Sequence, residues 1–156
     1  KGFDEAFYRS YCKGSLAPVL ETLGILREEG VFVEVTNLLI PEANDDPETI
    51  RRMCAWIARN LGPDTPLHFS RFHGDYRLEE RPATPASTLI EARDIAREEG
   101  LRYVYLGNIR IPDGETTLCP SCGKKIVERV GFRVVSTLVA RGKCAFCGAE
   151  IPGIWE

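Results

Sequence analysis

The sequence predicts an α/β protein of about three strand–helix units, half of a barrel or half of a doubly wound sheet, followed by a small four-cysteine tail. Three observations carry this expectation. A strand–helix phrase recurs, apolar stripes at helical spacing lie between the strands, and two Cys-x-x-Cys knuckles close the C-terminal part.

The recurrence is plainest at Arg27-Glu28-Glu29-Gly30, which runs into Val31-Phe32-Val33-Glu34-Val35 and ends at Thr36-Asn37. Its echo is Arg97-Glu98-Glu99-Gly100, running into Leu101-Arg102-Tyr103-Val104-Tyr105-Leu106 and ending at Gly107-Asn108. Each reads as a helix end, a glycine in the left-handed cap position and a buried strand. A third copy lies between them, with a helix ending at Asn60-Leu61-Gly62 and a strand from Leu67 to Phe72.

The helices follow from periodicity. Leu16, Val19, Leu20, Leu23 and Leu26 form one apolar stripe, and Ile50, Met53, Cys54, Ile57 and Leu61 form a second. Asp46 can cap the second helix, with Pro47 in its first turn. Thr84-Pro85 repeats that device ahead of Leu89, Ala92, Ile95 and Ala96. Helices alternating with β-branched strands predict parallel pairing with right-handed crossovers. Three strands alone do not cover both faces and both edges of such a sheet, so the rest is expected upstream.

The texture changes near Pro112-Asp113-Gly114, which divides the chain into residues 1–112 and 113–156. Cys119-Pro120-Ser121-Cys122-Gly123 and Cys144-Ala145-Phe146-Cys147-Gly148 are near-identical knuckles separated by 21 residues. Two such corners can complete a tetrahedral shell of thiolates, and soft ligands in a closed tetrahedron favour zinc, with iron the main competitor. The alternatives are a redox dithiol and two disulfides. Ile126, Val127, Val130, Phe132, Val134 and Val135 around Gly131 read as a β-hairpin between the knuckles. A site closed by four protein ligands serves folding rather than catalysis. Cys12 and Cys54 lie on predicted helix faces and read as small buried hydrophobes.

A net charge of −3 with both signs interspersed gives no basic stripe for nucleic acid. No apolar run approaches the ~20 residues that cross a bilayer, and no signal peptide precedes the first helix. Paired cysteines in such a chain point to metal and to the cytoplasm. The chain begins at Lys1 rather than Met and enters Phe3-Asp4-Glu5 directly, which reads as a piece of a longer polypeptide.

In parallel folds, ligands bind at the carboxyl ends of the strands. Those ends carry Thr36 and Asn37, then Ser70, Arg71 and His73, then Asn108. His73 follows an apolar strand and neighbours Asp75 and Tyr76, whereas His68 sits inside a strand.

Several phrases resemble a known family. Val33 to Pro41 with Asn44-Asp45-Asp46 resembles the fifth-strand region of radical SAM enzymes of the pyruvate-formate-lyase-activating type. His68-Phe69-Ser70-Arg71-Phe72-His73 with Asp75-Tyr76 resembles the sixth strand. Tyr103 to Asn108 and the Cys-Pro-Ser-Cys-Gly knuckle narrow the resemblance to the radical SAM protein of the AmMemoRadiSam system. The resemblance implies the C-terminal half of a radical SAM (β/α) barrel with a zinc-ribbon-like tail of four cysteines. It implies a parent enzyme in which a [4Fe–4S] cluster cleaves S-adenosylmethionine to a 5′-deoxyadenosyl radical, glycyl-radical-activase-like and of unknown substrate. The family's three-cysteine cluster motif is missing, as is its glycine-rich methionine-binding segment, so the chain alone is expected to be inert. Of the cofactor-facing positions, the resemblance carries over Lys1, Thr36, Asn37 and His73. It further implies the missing N-terminal half of the barrel and Memo- and AMMECR-type proteins as partners, with neither membrane nor nucleic acid. The alternative is a stand-alone zinc-ribbon interaction module without catalysis. A nucleic-acid-binding ribbon draws on Lys124, Lys125, Arg129, Arg133, Arg141 and Lys143 but is opposed by the acidic balance.

Overall fold

In the computed structural model, which describes residues 1–131 and 133–155, the Arg-Glu-Glu-Gly phrase forms the same helix end twice. Helix α2 (Ala17–Glu28) closes with Glu29 N–H on Ile25 O, Gly30 N–H on Arg27 O and Val31 N–H on Leu26 O. Helix α4 (Ala86–Glu98) closes with Glu99 on Ile95, Gly100 on Arg97 and Leu101 on Ala96. Both glycines have φ in the left-handed region, at 72° and 94°, which only glycine occupies at little cost. Helix α3 (Pro47–Asn60) starts as expected, with the Asp46 carboxylate accepting Thr49 N–H at 2.8 Å.

The chain divides into two compact units, Lys1–Arg110 and Ile111–Glu156. In the first, β1 (Val35–Leu39), β2 (Leu67–Arg71) and β3 (Val104–Gly107) pair in parallel in that order. Val35 lies opposite Leu67, and Leu67 opposite Val104. Alternate strand residues, Leu39, Leu67, Phe69, Val104 and Leu106, are buried on one face, as are Ile50, Met53, Cys54 and Ile57 of α3 and Leu89, Ala92 and Ile95 of α4. Helix α4 packs on β2 and β3 and against α3. Each Val, Leu, Ile, Phe or Met side chain among them contributes about 1.5–3 kcal/mol when fully buried. The short helix α1 (Glu5–Phe7), capped by Asp4, runs into a π-type turn (Tyr8–Cys12). Phe7 and Tyr8 there form a second cluster with Ile40 and Phe72, edged by Leu16, Leu38, Ala43 and Leu78.

Two polar side chains lock the carboxyl ends of the strands. Thr84, fully buried, donates its hydroxyl to Leu39 O at 2.6 Å and accepts Phe72 N–H at 2.9 Å. Asn44 accepts Ile40 N–H and donates to both Leu38 O and Lys1 O. Thr84 is thus not the predicted helix cap. Pro85 takes the cap position of α4, with no side-chain hydrogen bond there, and the Thr84 hydroxyl is spent between the strands.

The half of a radical SAM barrel is not what forms. A barrel closes through strands whose tilt and stagger bring the last back to the first. Here three strands of four or five residues make a small open sheet in which β1 and β3 each have a strand partner on one side only, among the described residues. The first strand also begins later than predicted. Residues 31–34 precede it without joining the ladder, because pairing with β2 starts at Val35. Thr36 and Asn37 therefore lie inside β1, not at its end.

The second unit is built from short antiparallel strands. Strands β4 (Thr117–Leu118), β5 (Lys125–Val130) and β6 (Arg133–Thr137) form one sheet, and β7 (Val139–Ala140) and β8 (Lys143–Cys144) another. The predicted hairpin is β5–β6, though Phe132 lies outside the described residues. Register shifts where β5 pairs β4, at Thr117–Leu118, and where it pairs β6, at Glu128–Arg129, break the alternation: Ile126 and Val127 are both buried, while Val130, Val134 and Val135 are exposed. Among the described residues, no helix is long and apolar enough to cross a membrane.

Candidate metal centre

The two knuckles close with the same hydrogen bonds. Cys119 N–H bonds Lys124 O at 2.9 Å and Gly123 N–H bonds Cys119 O at 2.8 Å. Cys144 N–H bonds Ala149 O at 2.9 Å and Gly148 N–H bonds Cys144 O at 2.9 Å. Each turn needs a left-handed residue four positions after its first cysteine, supplied by Gly123 (φ 69°) and Gly148 (φ 74°). The first cysteine of each pair is buried with Ile126 and Ile151, and the second is exposed.

These turns bring all four Sγ atoms within 4.8 Å of one another. Cys119 Sγ lies 3.6 Å from Cys147 Sγ, and Cys122 Sγ lies 3.9 Å from Cys144 Sγ. A tetrahedron with metal–sulfur bonds of ~2.3 Å has edges of about 3.8 Å. The sulfurs thus stand at the spacing of a metal shell and far outside the ~2.05 Å of a disulfide. They can hold a metal ion. Burial would raise the Cys144 thiol, but the N–H groups of Phe146 and Cys147 and the thiols of Cys119 and Cys147 bring it down to about 7. Cys147 receives a lowering hydrogen bond from Ala149 N–H, yet desolvation and the other three thiols push it up to about 12. Four thiols at this spacing ionise one at the expense of another, which a cation removes.

The other cysteines separate. Cys54 is buried, and burial foremost, with the charge of Glu99, pushes its thiol up to about 12. Cys12 is exposed, contrary to the buried position expected of it.

The residues carried over by resemblance stand on separate segments of the first unit. Thr36 is exposed while Asn37 is buried on the opposite face of β1, as strand alternation requires. Asn37 Nδ2 donates to Met53 Sδ at 3.3 Å, and its Oδ1 has no hydrogen-bond partner among the described residues. Lys1 contributes its backbone carbonyl to Asn44. His73 is an exposed residue after β2. His68, read as interior, is half-buried, bonds Glu34 at 2.7 Å and stacks on Tyr105. Sequence reasoning missed Thr84 and Asn44 as strand-end locks, and their signal was weak: single polar residues next to strand ends.

Fold and site together define a small α/β protein with four cysteines placed to hold a metal ion. The chain belongs to the bacterial peptidase A24 N-terminal domain family, whose model matches residues 30–155. It is also 45% identical over 147 residues to an uncharacterized protein of Methanocaldococcus jannaschii, an alignment covering 93% of this chain and 44% of that protein. The chain therefore spans less than half the length of this curated relative. The family match overturns the radical SAM resemblance, and with it the pyruvate-formate-lyase-activating type, the [4Fe–4S] cluster and the radical enzyme. Assignment of Lys1, Thr36, Asn37 and His73 to S-adenosylmethionine rested on that resemblance and goes with it. The phrases that suggested it are short apolar strands ending in polar residues, which any strand–helix repeat produces.

Proposed function

We propose that this chain is a non-catalytic interaction domain whose part 113–156 is folded by one structural zinc ion on Cys119, Cys122, Cys144 and Cys147. One observation carries the reading: four sulfurs, two pairs of them 3.6 and 3.9 Å apart, standing on two turns with the same hydrogen bonds. Thiolates favour zinc over harder cations, and four protein ligands leave no open position for a substrate. Zinc here would supply only a fourfold cross-link between the two turns. The family description, an N-terminal domain of bacterial A24 peptidases, supports a domain that works as one part of a larger protein. Free thiols at this density are maintained in a reducing compartment, which favours the cytoplasm.

Elemental analysis of the chain purified without added metal tests the reading. About one zinc per chain is expected. Iron in its place, or no metal with all four thiols titratable in the native state, overturns it.

A further inference from the structure

The two knuckles repeat one another in backbone but not in side chains. Aligned as Cys119 to Lys124 and Cys144 to Ala149, they close with the same pair of hydrogen bonds. They differ at three positions: Pro120 against Ala145, Ser121 against Phe146, and Lys124 against Ala149. The short sulfur contacts keep the repeat, since Cys119 meets Cys147 and Cys144 meets Cys122, each the first cysteine of one pair against the second of the other. Two of the differing side chains break the repeat by meeting each other. The Lys124 ammonium stands 4.5 Å from the centroid of the Phe146 ring, within the ~6 Å reach of a cation–π contact. Phe146 is exposed and precedes the exposed Cys147, and Lys124 is exposed two residues after the exposed Cys122. The neighbouring Lys125 pairs its charge with Asp113 at 2.6 Å, whereas Lys124 has no ion-pair partner among the described residues.

We propose that Lys124 and Phe146 form a clasp across the two knuckles that positions the second turn for the metal, a role that rests on the zinc reading. Both are positioning residues: a charged ammonium and a phenyl ring offer a metal no ligand atom. Four thiolates gathered at this spacing repel one another, so without a cation the sulfurs do not hold the turns together. The buried first cysteines pack with Ile126 and Ile151. The clasp ties the turns at the residues flanking the exposed second cysteines. A contact already made before the metal arrives lowers the ordering cost of binding, which appears as affinity rather than as a change of ligands.

The test is a double-substitution cycle on the intact chain, read as zinc affinity in competition with a chelator of known strength. Lys124→Met and Phe146→Leu, both at exposed positions, are each expected to weaken zinc binding about twofold to fivefold, with one zinc still bound at saturation. The double variant should be no weaker than the weaker single one. Lys124→Arg, whose guanidinium also stacks on a ring, should keep the parent affinity. Additive losses in the double variant overturn the clasp, because they make Lys124 a plain counter-charge for the thiolates. Parent affinity in Lys124→Met or in Phe146→Leu overturns it too. The zinc reading fails differently, through a parent chain that holds iron or no metal, and the clasp then falls with it.

Discussion

At the residue scale, chemistry is concentrated in the sulfurs. Cys119→Ser removes a buried ligand of the candidate shell and is expected to abolish stoichiometric metal binding, while Cys12→Ser, at an exposed thiol, leaves one metal per chain by elemental analysis. With the Cys144 thiol lowered to about 7, the metal-free chain carries a thiolate above that pH and a thiol below it. Zinc binding should therefore release one more proton at pH 6 than at pH 8, as measured by calorimetry in buffers of different ionisation heat. Equal release at the two values contradicts the assignment. Thr84 is the other decisive residue. Thr84→Val keeps the shape but strips partners from Phe72 N–H and Leu39 O, and should cost about 2–4 kcal/mol in denaturant unfolding. The cysteines were legible because spacing alone fixes their geometry. Thr84 was read as a cap because the same residue type serves both roles, and only the third dimension decides between them.

At the element scale, the apolar stripes of α3 and α4 and the Asp46 cap were sound local signals. Asp46 caps α3, and the Thr49 N–H, followed by its hydroxyl, holds the Asp46 carboxyl below its ordinary value. A depressed carboxyl stabilises the fold above its unfolded pKa and loses that contribution as pH falls through the folded one. The stability difference between the parent and Asp46→Asn should be constant above about pH 4 and shrink below it, read by unfolding at each pH. The stripe on α2 was equally clear in the sequence, but a stripe states only what a helix can bury. The strand limits were less legible: residues 31–34 are as β-branched and apolar as β1 itself, and only pairing with β2 starts the ladder at Val35.

At the scale of the whole molecule, the order of strands and helices predicted parallel pairing, and the pairing is parallel. Barrel membership was not legible, because closure depends on strands far apart in sequence and leaves no mark within three of them. The two units bury separate sets of side chains. Chelation of the metal is expected to unfold Ile111–Glu156 and leave the helical signal of Lys1–Arg110, which circular dichroism would record as loss of a minor component only. Leu39→Ala, deep in the first unit, should cost about 2–5 kcal/mol there and leave metal content at one per chain.

The chain has two tryptophans, and each unit holds one. Trp56, on α3, leans its ring on Phe3. Trp155 bonds Ile151 O and rests over Gly142. With one removed as Trp→Phe, the emission of the other becomes a private thermometer for its own unit. Heat, acid and chelator can then be assigned to the part of the molecule that answers them.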